Sequence, residues 1–330
     1  MSEKLVSLSL GGGGKQTSDF IKNVIIKNFS NDIILNMGDS AHISTSLNSA
    51  FTTDSFVVKP EFFKGGNIGK LSICGTVNDL AVSGAKAEYI SFSLIVAEGY
   101  PLDKLEQIIV SAAETAKVAG VKIVCGDTKV VERNSLDGVV LNTAGVGSVI
   151  KNLNNYSSIN VGDNVIITSD IARHGISVMV ERGSLGFDSN IESDCAPLNK
   201  MLESIYAFDI KFARDATRGG LAAVLNEITE KSNVGFVIEE EKLPIQNDVA
   251  DLCDILGLDP LTVANEGVAV IIASSVDTPK VIDTLTKSPY GKNSCVIGSV
   301  TDKARVVLKT KIGGSRYVDM PPGELLPRIC

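Results

Sequence analysis

The stretch PLDKLEQIIVSAAETAKVAGVKIVCGD, residues 101–127, decides how this chain folds. Behind Pro101, a residue suited to a first helical turn, Leu102, Leu105, Ile109, Ala112, Ala116 and Ala119 recur at helical spacing. Gly120 closes the helix, because glycine takes the left-handed turn of a helix C-terminus without a Cβ clash. VKIVC, 121–125, then reads as a buried strand, with Gly126 and Asp127 just past its end. A helix returning straight into a buried strand belongs to layered α/β structure. Working outward, a strand reads at 50–53, ending in Asp54. A helix follows from Asn67, a good N-cap, to Gly84, and another strand fits 139–144.

The segment KNLNNYSSINVGD, 151–163, is rich in Asn and Ser and marks a domain boundary. Beyond it the pattern predicts strands at 164–168, 234–238, 268–273 and 305–310. Helices are predicted after Gly175 and over 198–208, 218–231 and 247–256. A chain of 330 residues has room for two cores. The fold class is therefore α+β with α/β sandwich-type layers. Its divisions are a flexible glycine-rich segment 1–37, domains 38–152 and 153–319, and a mobile tail 320–330. Pro321, Pro322 and Pro327 keep that tail out of helix and central strand, and extended at ~3.1 Å per residue it reaches about 30 Å.

Composition excludes several classes. The formal net charge of -8 argues against nucleic acid or an anionic membrane as the main partner, since phosphate binding needs a basic face. No apolar run is long enough to span a bilayer, and MSEKLVSLSL is too short and polar for a signal peptide, so a cytoplasmic address is expected. The cysteines at 74, 125, 195, 253, 295 and 330 form no C-x-x-C pair and match no metal cage or disulfide framework. The first five are expected to be buried small hydrophobes.

Gly11 to Gly14 and Lys15 suggest a phosphate loop, but Ser9 stands at the first glycine position of a Walker motif and Gln16 follows the lysine. The motif fails. The acids say more. Asp54, Asp127 and Asp170 each follow an apolar strand, Asp79 interrupts CGTVNDLAVSG, Asp39 stands in MGDSA and Asp215 in RDATRGG. A carboxylate inside apolar sequence is costly unless it is paired or bound to a cation. Converging, they would suit Mg²⁺ on ATP phosphates; singly, each fits a cap or a turn. Lys129 in GDTKVVE could neutralise phosphate or sit in solvent, and Glu266 in NEG could be a general base or a turn acid. His174 in ARHGIS reads as a satisfied structural histidine. Cys330 is either an exposed nucleophile on an arm or a last residue without a role, and it is not placed for prenylation.

FTTDSFVVKPEFFKGGNIGKLSICGTVNDLAVSGA, IVCGDTKVVE, SDCAPLN, RDATRGGLAAVLNEI, LGLDPLTVANEG and the ending LPRIC together resemble the HypE family of hydrogenase maturation proteins, over nearly the whole chain from about Asp39. That family belongs with aminoimidazole ribonucleotide synthase and selenophosphate synthetase. The resemblance implies a PurM-like pair of domains, a homodimer formed through the N-terminal sheet, and ATP with Mg²⁺ in a cleft partly under the glycine-rich segment. It assigns Asp39, Asp54, Asp79, Asp127 and Asp215 to the metal. Nucleotide contacts fall to Asp54, Lys70, Asn78, Asp79, Asp127, Thr128 and Asp215. Lys129 and Glu266 are the implied catalytic pair, with Cys330 the carrier of the reacting group. The implied reaction is ATP-dependent dehydration of a carbamoyl group on the Cys330 sulfur to a thiocyanate. The implied partners are the carbamoyltransferase HypF and the HypC–HypD complex. A selenophosphate synthetase would carry a reactive Cys near its N-terminus, and no Cys precedes Cys74. A non-catalytic scaffold would tolerate loss of Lys129 and Glu266.

Overall fold

A computed structural model describes residues 5–10, 15–36, 40–183, 189–323 and 329. The glycine run 11–14, Asp39 and Cys330 lie outside the described residues. The first half runs β1 (Ser49–Phe56), α1 (Ile68–Val82), β2 (Ala85–Ala97), α2 (Leu102–Ala119), β3 (Lys122–Val131) and β4 (Val139–Val149). In α2 the predicted face is buried, with Leu105, Ile108 and Ile109 fully enclosed. Each such side chain contributes roughly 1.5–3 kcal/mol of transfer free energy. Gly120 adopts φ +81°, the left-handed cap its position requires.

The sheet order is β1-β4-β2-β3, with β2 and β3 parallel and the other pairs antiparallel. Burial alternates along β4: Val139, Leu141 and Thr143 face the helices, while the intervening residues look outward. That opposite face is open, and Phe51 on β1 is 71% exposed there. β1 and α1 are tied at Asp79, whose carboxylate accepts from Thr52 Oγ1 at 2.8 Å. Asn67 caps α1 by accepting from the Gly69 and Lys70 amides.

Three features depart from the sequence reading. β2, the sheet's longest strand, is absent from it because α1 runs into β2 through a single tight turn at Gly84 (φ +87°), leaving no loop signature between them. β3 does not stop at Cys125 but continues through Gly126, Asp127 and Lys129, pairing along β2 as far as Ala97. The segment after the glycine run is helical, through Lys15–Phe20, Ile21–Ile26 and Lys27–Phe29, not a flexible lead. Phe20, Val24 and Phe29 bury it in the first core, and the Phe29 ring sits 5.1 Å from Phe92.

The second half follows the 150–163 loop as β5 (Asn164–Ile167), α3 (Arg173–Glu181), β6 (Ile210–Asp215), α4 (Gly220–Ser232), β7 (Gly235–Glu239) and α5 (Asn247–Leu256). It ends with β8 (Ala269–Ala273), α6 (Thr278–Leu285), β9 (Cys295–Thr301), β10 (Val306–Lys309) and β11 (Ser315–Tyr317). Among the described residues these strands form one sheet ordered β11-β10-β7-β9-β5-β8-β6. The helix expected over 198–208 is cut to Asn199–Glu203, with turns beyond it. Cys74, Cys195 and Cys253 are buried as expected, but Cys125 is exposed on the edge strand β3 and Cys295 is half-buried. No helix among the described residues is long and apolar enough to cross a membrane.

Candidate active site

Between the two sheets, α1 of the first half meets β6 and the 189–198 loop of the second. One clamp holds them. The Asn78 amide donates to the carbonyls of Ala196 (3.0 Å) and Glu266 (3.2 Å) and accepts from the Leu198 amide (2.7 Å). Both amide hydrogens are used on backbone. Asn78 therefore joins the domains and is not turned toward a phosphate. Lys70 is likewise engaged, donating to the Gly65 carbonyl at 2.7 Å.

Three of the expected acids gather here. Asp54 on β1 points inward beside α1, Asp79 lies one helical turn beyond Gly75, and Asp215 ends β6. Burial raises the Asp54 carboxyl, opposed by the Ser55 amide and the Arg218 charge. Asp79 is raised by burial and by Asp54, against its Thr52 hydrogen bond and Arg214. Asp215 is pushed up to about 7, by burial and then by Asp79 and Asp54. Such mutual repulsion inside protein signals a place for a cation. Among the described residues no group of three His, Cys, Asp or Glu is already arranged to hold a metal ion. Even so, oxygen-only donors with unbalanced charge fit Mg²⁺, which takes its remaining ligands from phosphate and water.

The strain has a measurable sign. A carboxyl whose folded pKa is raised binds its proton more tightly when folded, so its contribution to stability is present in acid and lost as pH rises. For Asp215 that loss runs from about pH 4 to about 7. Asp215→Asn is expected to flatten this fall, by up to ~1.4 kcal/mol per pH unit, and to raise the melting temperature of the ligand-free protein at neutral pH. Thermal melts across that range, with and without Mg²⁺, check it.

Glu266 sits in the loop before β8 and is 3% exposed. Among the described residues its Oε1 has no hydrogen-bond partner. Burial drives its carboxyl well above the usual range, reinforced by Cys195, Asp215, Asp194 and Asp54. Its backbone is fixed by Asp194, whose Oδ1 accepts from the amides of Glu266 (2.6 Å) and Gly267 (2.9 Å). A side chain at Gly267 would strike the Asp194 carbonyl, its Cβ only 1.9 Å away.

Asp127 and Lys129 are not part of this cluster. They pair with each other at 3.4 Å on the outer face of β3, three strands from Asp54, while Asp54 faces inward. At ~4.8 Å per strand that is about 14 Å across the sheet. The expected pairing of Lys129 with Glu266 is thus not made within one chain. Beside β3 lies a cavity of about 370 Å³, walled by Ile21, Ile25, Ile34 and Leu94 with Asp127 and Thr128 at its polar end.

Residues the sequence reading left unassigned also contribute. Arg214 and Arg218 flank Asp215, and their charges oppose the rise of Asp79 and Asp54. Both stand in the quoted RDATRGG. Asp194 stands in SDCAPLN, but nothing local shows that it supports a loop far along the chain.

Two sheet-and-helix domains packed through α1, with carboxylates gathered at their junction, fit the AIR synthase-related class, whose N-terminal domain model matches residues 37–149 and whose C-terminal domain model matches residues 160–311. The chain is 42% identical to carbamoyl dehydratase HypE of Rhodobacter capsulatus, covering 100% of this chain and 99% of that protein. It superposes on a crystal structure of hydrogenase maturation protein HypE in complex with ATP with a TM-score of 0.94, at 36% identity and covering 98% and 99% of the two chains. A HypE–HypF complex also matches, with a TM-score of 0.81, 44% identity and coverage of 92% and 99%. The chain belongs to the carbamoyl dehydratase HypE family.

Proposed function

We propose that this protein uses ATP to dehydrate a carbamoyl group carried on the sulfur of its own Cys330, leaving a thiocyanate that supplies cyanide for the iron centre of a [NiFe] hydrogenase. The observation that carries this reading is the buried Glu266 carboxyl, one oxygen of which has no partner among the described residues, under the influence of the Asp54 and Asp215 carboxylates. The solved relative holding ATP and the one joined to HypF support the nucleotide and a carbamoyltransferase partner. A HypC–HypD complex would receive the cyanide.

The carbamoyl oxygen attacks the γ-phosphorus, a C–O–P bond forms, and ADP leaves. The nitrogen then gives up two protons as phosphate departs, and a nitrile remains on sulfur. Asp54, Asp79 and Asp215 would hold magnesium, which when bound supplies charge neutralisation to the phosphates. With that cluster balanced, Glu266 loses two of the charges that hold it protonated. It then falls toward the range in which it accepts an amide proton. The loop held by Asp194 keeps the carboxylate aimed, and burial keeps water from competing. The 370 Å³ cavity, with Thr128 and Asp127 at its polar end, suits a nucleoside.

Lys129 enters through a second copy. The open face of the first sheet, with Phe51 and Ile95 exposed, fits a homodimer that brings the partner subunit's Lys129 and the partner subunit's Asp127 to this cleft. Co-expressed Glu266→Gln and Lys129→Ala chains, each inactive alone, are then expected to recover about half of wild-type activity in mixed dimers, which keep one intact site of two. No recovery, with mixed dimers verified, would place both residues in one chain.

The direct test of the reaction is mass spectrometry of the C-terminal peptide after incubation with ATP, carbamoyl phosphate and the transferase. Loss of one water from the carbamoylated thiol is expected. A carbamoyl group that persists while ATP is consumed would overturn the assignment.

A further inference from the structure

His174, at the start of α3, is fully buried and both ring nitrogens are engaged. Ser193 Oγ accepts from the Cys195 amide at 3.0 Å, which leaves its own proton for His174 Nδ1 at 2.8 Å. Burial holds the ring neutral, against the opposing influence of Asp194. The tautomer follows: with Nδ1 accepting, Nε2 carries the hydrogen and donates it to the Ile329 carbonyl at 2.8 Å. Ile329 is the residue before the last, yet it is only 3% exposed, packed among Ile176, Ile191, Val263 and Ala264. The Phe63 ring stands edge-on to the imidazole at 5.3 Å and fixes its plane. Asp194 joins the two ends of the arrangement. Its Oδ2 accepts from the His174 amide while its Oδ1 holds the Glu266 loop.

We propose that His174 is a positioning residue that latches the C-terminal arm: its Nε2–H grips the Ile329 carbonyl and registers the end of the chain against the Glu266 loop. The imidazole performs no chemistry on the carbamoyl group. It sets how long the arm stays seated, and hence how the last residue divides its time between this cleft and an outside transferase. This deepens the proposed function and rests on that reading for its catalytic consequence only.

The latch is tested by the rate at which iodoacetamide alkylates Cys330, followed on the C-terminal peptide so that other cysteines do not interfere. His174→Phe keeps the ring volume beside Phe63 but cannot donate, and His174→Gln retains an N–H donor. Loss of one buried hydrogen bond is expected to speed alkylation about tenfold in His174→Phe, with His174→Gln within about twofold of wild type. Equal rates in wild type and a folded His174→Phe protein, judged by its melting curve, would overturn the proposal. So would His174→Gln matching His174→Phe. A purely structural role would slow loading and dehydration alike. A latch slows dehydration while carbamoyl transfer onto Cys330 is as fast as in wild type or faster. Alkylation needs neither ATP nor transferase, so the latch stands on its own readout even if no nitrile forms in the wild type.

Discussion

Replacing Cys330 with Ala is expected to abolish thiocyanate formation completely while ATP still binds with unchanged affinity. In the proposed reaction the Cys330 thiol is the covalent carrier, and the described cysteines are poor substitutes for it. Cys74, Cys195 and Cys253 are buried, and burial raises the exposed Cys125 thiol and so suppresses its reactive thiolate. Binding of nucleotide should be indifferent to the change, because the carboxylates and the cavity proposed for ATP belong to the two domains and not to the tail. Calorimetric titration with ATP and mass spectrometry of the reaction products read the two halves of the prediction separately. A Cys330→Ala protein that still releases cyanide, or one that no longer binds ATP, would refute the carrier role.

The second large effect belongs to Glu266. Glu266→Gln preserves shape and the backbone held by Asp194 but cannot accept a proton, so dehydration is expected to fall by about 10²–10⁴-fold. ATP binding should persist. The pH profile is the sharper readout. Because burial and its neighbours raise the Glu266 carboxyl, the wild-type rate should climb with pH through a limb above the ordinary carboxylate range, as the base form appears. The residual activity of Glu266→Gln should lack that limb. A variant within tenfold of wild type with the same profile would mean that another group takes the proton.

Much of this was legible in the sequence, for reasons that can be traced residue by residue. The apolar stripe of α2, its Pro101 entry and Gly120 exit are local features, and they appear where the pattern puts them. The span Asn247–Leu256 is helical as read. Glu266 is legible as an acid in NEG just ahead of a buried strand, which suits a general base and a turn acid equally. His174 read as a satisfied structural histidine, and both its nitrogens do have partners, though one of those partners is the chain's own end. Other expectations failed where a local signal was outweighed at long range. Glycines 11–14 suggested a mobile lead, but Phe20, Val24 and Phe29 anchor the helices that follow. Gly126 suggested a strand end, yet pairing with β2 carries the strand through it.

Periodicity, caps and composition are properties of neighbours in the chain, so the sequence by itself determined the layered α+β class, the acidic character of the molecule and which carboxylates stand in apolar surroundings. Which of those carboxylates meet is set by strand register, because residues one apart on a strand point to opposite faces of the sheet. Tertiary structure alone therefore decided that Asp54, Asp79 and Asp215 converge while Asp127 and Lys129 face away. It also decided that Asn78 binds backbone and that Asp194 ties the Glu266 loop to the helix gripping Ile329. Each of these pairings closes a long loop of chain, and no local preference records it.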